Sequence, residues 1–282
     1  MVKLGIAGAR GVGASLAQLA LQRGHRVILF DQNPQHLQEA HDRIARVLEA
    51  PPMDAESPAR DLGSLQGLET VTEIDDLAGA EMVIETVVDS RESKRAVLSR
   101  LDAALGEATV VVTTTGTLSI TNLAAMASHP ERVIGIHFPR PVASTAIAEV
   151  VSGLRTNEDT ISQALALVRS LDKMPIQVRN RPGFVVNRLT NLFRLEAVRL
   201  LEENVADPAT VDALLAALGF TSGPLARMDA LGVDACLAMS RALYEGNLGE
   251  PRYQPSLLQA EMVDAGLNGR KAGKGFHEYP TR

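Results

Sequence analysis

The sequence predicts an α/β fold: a doubly wound parallel sheet with helices on both faces, followed by an all-helical C-terminal domain. Three observations carry that prediction. The first thirty-one residues read strand, glycine-rich turn, helix, strand and acid. Apolar runs then alternate with helical patterns to about residue 180, the mark of a sheet built from crossover units. Beyond Asn180-Arg181-Pro182-Gly183 no strand pattern returns, and a change of composition at a Pro-Gly hinge marks a domain boundary. The expected domains are residues 1–180 and 181–282.

Lys3–Ala7 is the opening apolar strand. Gly8-Ala9-Arg10-Gly11-Val12-Gly13 forms the turn, an Ala/Leu-rich helix follows, and His25–Phe30 is the second strand, closed by Asp31. This order suits a dinucleotide. Backbone N–H groups of the turn approach a pyrophosphate at a helix N-terminus, as in a Rossmann-type domain. Asp31, eighteen positions after Gly13, can accept ribose hydroxyls, and its charge favours NAD over NADP by repelling a 2′-phosphate. Arg10 occupies the place of the middle glycine in G-x-G-x-x-G. Its Cβ crowds the phosphates, its guanidinium can pair with one, and a turn shifted onto Gly11 is the other way to close the backbone.

Asn33-Pro34 starts the next helix, with Asn as N-cap and Pro in the first turn. It runs to about Leu48, Pro51-Pro52 stops it, and the polar stretch through Gly67 reads as loop or short helices. Strands are expected at Glu69–Val71, Met82–Val87, Thr109–Thr113, Val133–Phe138, Ile147–Ser152 and Pro175–Val178. Helices near Ser90–Leu105, Ser119–Ala127 and Glu158–Leu171 separate most of them. The second domain fits four helices, roughly Phe184–Glu203, Pro208–Leu218, Pro224–Tyr244 and Pro255–Ala265. The first carries Leu189, Leu192, Phe193, Leu195, Val198 and Leu201, a stripe wider than one packing face needs. It reads either as a central core helix or as a shared dimer interface.

At 282 residues and 45% hydrophobic content the chain can bury substantial cores, which 3% aromatics and no Trp make mostly aliphatic. A net charge of -6 without a basic run argues against a nucleic-acid partner. A lone Cys236 excludes an internal disulfide and fits a reducing cytosol. No apolar run has the length of a membrane span, and a strand directly after Met1-Val2 reads as no signal peptide. The expectation is a cytoplasmic protein acting on a small molecule, with no metal ligands assigned.

Three polar residues do not belong to packing. His137 ends the apolar run Val133-Ile134-Gly135-Ile136, and ligands of open α/β sheets lie beyond the carboxyl ends of strands. Glu149 interrupts Ile147-Ala148-Glu149-Val150-Val151, where an unpaired carboxylate is costly. Asn187 punctuates the first turn of the helix beyond the hinge, expected to face the first domain. Together they suggest a His partnered by a carboxylate, with an amide to hold a substrate oxygen. Such a His can take a hydroxyl proton while hydride leaves the same carbon.

At this point the chain resembles the 3-hydroxyacyl-CoA dehydrogenases, and among them the single-function 3-hydroxybutyryl-CoA dehydrogenases of bacteria. The resemblance rests on the glycine turn with Asp31, Val83-Ile84-Glu85-Thr86-Val87-Val88-Asp89 and Leu118-Ser119-Ile120-Thr121. It continues through Arg132-Val133-Ile134-Gly135-Ile136-His137-Phe138, Gly183-Phe184-Val185-Val186-Asn187-Arg188, Gly223-Pro224-Leu225 and the tail Gly269-Arg270-Lys271-Ala272-Gly273-Lys274-Gly275-Phe276. It implies His137 as catalytic base, Glu149 as its carboxylate and Asn187 as the polarising amide. It also implies cofactor contacts at Gly8, Ala9, Arg10, Gly11, Val12, Gly13, Asp31, Asp89, Lys94, Arg140 and Lys271, an acyl-CoA substrate, and a homodimer formed through the helical domain.

The chain departs from that pattern in three places. Arg10 is the first. Gly116 and Thr117 stand where the family has a Ser–Ser pair, so a substrate-binding hydroxyl is missing unless Thr115 or Thr117 supplies it. His137-Phe138-Pro139-Arg140-Pro141 replaces His-Phe-Phe-Asn-Pro, exchanging an amide for the charge of Arg140. The two arginines read either as an answer to an unusual anionic ligand or as tolerated changes. The basic residues that the family uses for CoA are poorly matched in Pro51–Ser64, which is short and acidic.

Overall fold

The computed structural model describes residues 1–49 and 64–280. The expected helix stop at Pro51-Pro52 and nearly all of Pro51–Ser64 lie outside the described residues. The chain divides into two compact units, Met1–Arg181 and Pro182–Arg282.

The first unit runs β1 Lys3–Ala7, α1 Val12–Gln22, β2 Arg26–Phe30, α2 Pro34–Leu48, β3 Leu68–Val71, β4 Met82–Glu85, α3 Arg91–Ala104, β5 Val110–Thr113, α4 Ile120–Ala124, β6 Val133–His137, β7 Ile147–Ser152, α5 Glu158–Ser170 and β8 Met174–Arg179. Polar N-caps set several helix starts. The side chains of Asn33, Ser90, Ser119 and Asn157 accept from the N–H groups of Gln35, Ser93, Asn122 and Thr160, satisfying donors that a helix leaves open.

The strands form one eight-stranded sheet in the order β3-β2-β1-β4-β5-β6-β7-β8. From β3 to β6 all pairs are parallel. The expected all-parallel sheet fails at β7, which runs antiparallel to β6, with β8 parallel to β7. Residues 138–146 are too short a connection for a crossover to a parallel neighbour.

Alternation along the strands feeds two cores. Leu4, Ile6, Leu29, Ile84, Val112 and Ile136 pack on one face with residues of α1, α2 and α5. Ile28, Val83, Val111 and Val133 pack on the other with Leu98, Leu101 and Leu123. Gly135 lies on that second face, where a Cβ would collide with Ile120. Its bareness lets α4 sit close to β6, just below His137.

The second unit is helical: α6 Val186–Glu202, α7 Pro208–Ala217, α8 Pro224–Leu231, α9 Val233–Gly246 and α10 Leu257–Asp264. Ala197, Val198, Val211, Leu225, Met228 and Cys236 form its core. The single helix expected over Pro224–Tyr244 is two, broken at Gly232, whose φ of 98° is open to glycine at little cost. The wide stripe on α6 divides. Leu195 and Val198 are buried, whereas Leu189 and Phe193 are 64% and 38% exposed. Asp229, buried at the end of α8, fixes the tail by accepting from the N–H groups of Phe276 and His277 and from the Tyr279 hydroxyl.

Candidate active site

The glycine turn connects β1 to α1. Gly8, at φ 116°, donates its N–H to Phe30 O at 2.8 Å and so ties the turn to β2. A Cβ on Gly13 would collide with the Gly8 carbonyl. Gly11 takes the second left-handed step, at φ 50°, as the N-cap of α1. Arg10 needs no such conformation, which is why a side chain is accommodated at the middle position. It is exposed. Above Gly11 the space within 4 Å of a would-be Cβ is open, at the N-terminus of α1, the end of a helix that suits an anion.

Asp31 closes β2 beside this turn. Its Oδ2 accepts the Ala9 N–H at 3.0 Å and its Oδ1 the Asn33 N–H at 3.0 Å. Asn33 Oδ1 accepts from Gln35 N–H, so its amide nitrogen faces His36 Nε2 at 3.3 Å. Nε2 is therefore the acceptor, and His36 Nδ1–H donates to Asp31 Oδ1 at 3.1 Å. Burial pushes the Asp31 carboxyl up, but these three donors outweigh it and hold it below the usual carboxylate range. The group is a fixed anion at neutral pH, with room left to accept from a ribose hydroxyl.

At the carboxyl end of β4, Glu85 and Lys94 form an ion pair in which both side chains are fully buried, with Nζ 3.0 and 2.9 Å from the two carboxylate oxygens. Thr113 Oγ1–H and the Val87 N–H also donate to Glu85, each at 2.6 Å. Burial pushes Glu85 up, against the ammonium and these donors. Removing one partner of such a pair costs about 3–5 kcal/mol. Lys94 also donates to Thr114 O at 2.8 Å. Its ammonium is thus enclosed, and it ties β4 to the loop after β5.

That loop carries Thr115, Gly116 and Thr117. The Thr115 hydroxyl oxygen accepts the N–H groups of Thr117 and Leu118. The Thr117 hydroxyl donates to Asp89 Oδ2 at 3.2 Å, and the Gly116 N–H reaches the same oxygen at 3.2 Å. The Thr117 O–H and the Thr115 oxygen lone pairs therefore serve the loop itself, and the Thr115 O–H hydrogen is left to donate. Asp89 is the anchor of this loop.

His137 and Glu149 stand directly opposite each other in the antiparallel β6–β7 register. His137 Nδ1 is 2.7 Å from Glu149 Oε2, and the side chains are 13% and 1% exposed. The reversal of β7 makes this pair. Arg140 follows on an exposed turn. In the helical unit, Asn187 is buried in the first turn of α6, and Lys271 is paired with Asp234 at 2.5 Å.

Sequence reasoning missed several positioning residues. The Thr86 hydroxyl lies 3.0 and 2.9 Å from the carbonyls of Ala7 and Gly8 and locks the glycine turn. Lys173 Nζ donates to Val142 O and Thr145 O at 2.6 and 2.5 Å, clamping the β6–β7 connection. Burial pushes that ammonium down. Glu85 carried a visible signal, a carboxylate closing an apolar strand like that of Glu149.

A family model described as 3-hydroxyacyl-CoA dehydrogenase, NAD binding domain, matches residues 3–181. A second, the 3-hydroxyacyl-CoA dehydrogenase C-terminal domain, matches residues 183–279. The chain is 36% identical to the 3-hydroxyadipyl-CoA dehydrogenase of Escherichia coli (strain K12) over 97% of its own length, but spans only 58% of that protein. It is 32% identical to a probable 3-hydroxybutyryl-CoA dehydrogenase of Deinococcus radiodurans, covering 99% of this chain and 100% of that one. Its fold is similar to the crystal structure of (S)-3-hydroxybutyryl-CoA dehydrogenase from Ralstonia eutropha, with TM-score 0.93, 34% identity and 100% of both chains covered.

Proposed function

This chain belongs to the 3-hydroxyacyl-CoA dehydrogenase family, and from that premise we propose that it interconverts short-chain (3S)-3-hydroxyacyl-CoA and 3-oxoacyl-CoA. The 2.7 Å contact between His137 and Glu149 carries the reading. With Nδ1–H donating to the carboxylate, Nε2 is the basic nitrogen that takes the hydroxyl proton. Glu149 then balances the imidazolium charge, and Asn187 holds the substrate oxygen.

Bound NAD supplies the hydride acceptor. The turn Gly8-Ala9-Arg10-Gly11-Val12-Gly13 and the start of α1 hold its pyrophosphate, and Asp31 its adenosine ribose. Asp89, Arg140 and Lys271 complete the cofactor contacts, while Lys94 acts through the loop it ties. Thr115, Gly116 and Thr117 form the substrate side of that loop. Gly116 brings no hydroxyl and the Thr117 O–H is spent on Asp89, so unless the Thr115 O–H turns to it the substrate oxygen lacks one donor. A lost hydrogen bond of this kind costs about 1–3 kcal/mol, roughly tenfold to a hundredfold in rate.

The test is NADH formation from 3-hydroxybutyryl-CoA and from free 3-hydroxybutyrate. Turnover of the thioester alone is the expected result. Turnover of the free acid alone would move the reading to a 3-hydroxy-acid dehydrogenase. NAD binding without turnover of either would favour a weakened ligand-binding relative, the reading that Gly116 supports.

We place the protein in the cytoplasm as a homodimer. No helix of the described residues is long and apolar enough to cross a membrane. On the helical unit Leu189, Phe193, Leu214, Leu218 and Phe220 are all exposed, and Phe193 stacks on Phe220 with centroids 5.3 Å apart. Exposed apolar groupings of this kind mark interaction surfaces, and this one extends the face of α6. Sedimentation at the mass of two chains is expected; a single-chain species at micromolar concentration would remove the dimer.

A further inference from the structure

The connection between His137 and Glu149 is gripped by a buried lysine that takes no part in the chemistry itself. His137 and Glu149 are the last pair of the β6–β7 ladder, so no further rung steadies residues 138–146. Phe138 and Val142 sink into the core of one face. The turn before β7 closes on itself, with Thr145 donating its N–H and its hydroxyl to Pro141 O at 3.1 and 2.8 Å. Two groups grip it from outside. The Met174 N–H meets Ala146 O at 2.8 Å, and Lys173 Nζ meets Val142 O and Thr145 O at 2.6 and 2.5 Å.

A lysine is a costly donor for two backbone carbonyls. Lys173 is 6% exposed. Among the described residues its ammonium has no carboxylate partner, because Asp172, the acid next to it in the chain, pairs with Arg23 at 3.1 Å. A buried charge without a counter-charge is disfavoured, and burial, with Arg23 adding to it, pushes this ammonium down. An uncharged N–H or hydroxyl would satisfy the same carbonyls. What the charge adds is strength, since a charged donor bonds roughly twice as strongly as a neutral one.

The position of the clamp says what that strength holds. Lys173 immediately precedes β8, whose first residue, Met174, pairs with Ile147, the first residue of β7. Glu149 stands two places further along β7. The lysine therefore pins the connection where it becomes the strand that carries the carboxylate. A slide of that strand against β6 would open the 2.7 Å contact between His137 Nδ1 and Glu149 Oε2. Misplacing a catalytic group by about 1 Å can lower a rate by roughly a hundredfold.

We propose that Lys173 is a positioning residue for the reaction, whose grip on Val142 and Thr145 keeps Glu149 in contact with His137. This rests on the reading of His137 as the base. Lys173→Met preserves the length of the side chain and removes both donor and charge. It is expected to lower kcat by about tenfold to a hundredfold. The KM for NAD should hold, since the glycine turn and Asp31 belong to β1 and β2. Lys173→Arg, which keeps a charged donor, is expected to recover part of the rate. The readout that separates positioning from mere support is the combination with Glu149→Gln. A lysine that acts through the pair adds no further loss once the carboxylate is gone. Wild-type kcat in the folded Lys173→Met variant, or losses that multiply in the double variant, would overturn the proposal.

Should Lys173→Met not fold, Lys173→Gln takes its place, because its amide nitrogen ends one bond short of the ammonium position and misses both carbonyls. The same loss and the same lack of additivity are expected, and the absence of either overturns the proposal. Failure of the underlying reading looks different. Glu149→Gln alone would then keep the wild-type rate, whereas failure of the clamp alone leaves Glu149→Gln slow and Lys173→Met at full rate.

Discussion

Replacing His137 with Gln is expected to lower kcat by about 10²- to 10⁴-fold, the usual worth of a positioned general base. Gln is the informative choice because its amide can still donate to Glu149, whose carboxylate is 1% exposed and would otherwise lose its partner. The β6–β7 ladder is a backbone feature and survives the change. What Gln cannot do is accept a proton from the substrate hydroxyl. The KM for NAD should hold, because the glycine turn and Asp31 are built by other strands. Steady-state NADH formation measures the effect, and thermal unfolding beside the wild type confirms the fold. Full kcat in the folded variant would sink the assignment of His137 as base.

The pair was legible in the sequence for an energetic reason. A carboxylate inside an apolar run must find a partner, and the nearest titratable candidate closed the neighbouring strand. The glycine turn and Asp31 were legible because they close consecutive strands of one strand–helix–strand unit, whose β1–β2 pairing brings Asp31 to the Ala9 N–H. Other features were not readable in this way. The antiparallel β7 follows from the length of the connection 138–146, a signal that alternation of strands and helices obscured. The Thr86 lock joins residues 78 or more apart, and only the parallel β1–β4 pairing brings them together. Lys173 and His36 were hidden because an ordinary surface-type residue reveals its role only through the carbonyls or carboxylate it meets. The break at Gly232 was masked by helix-compatible residues on both sides.

Glu149→Gln is expected to reduce kcat by about 10²- to 10³-fold with the substrate KM values little changed. The substitution keeps the shape and removes the charge. In the native geometry Oε2 lies 2.7 Å from His137 Nδ1, so the carboxylate holds the proton on Nδ1 and leaves Nε2 basic. A carboxamide presents either an oxygen or an NH₂ group. When the NH₂ faces the ring, Nδ1 must accept, the proton moves to Nε2, and the base is lost.

When the oxygen faces the ring the tautomer survives, but the imidazolium formed during oxidation has no counter-charge. Opposite charges about 4 Å apart at an effective dielectric of 20 interact by about 4 kcal/mol, which sets the upper end near 10³. Glu149→Asp retains the charge at a longer reach and should recover part of the rate. The decisive measurement is the double variant. If His137 and Glu149 act as one unit, combining Glu149→Gln with His137→Gln should be no slower than His137→Gln alone, because the carboxylate acts only through the imidazole. Losses that multiply would show that Glu149 serves the reaction by a route independent of His137.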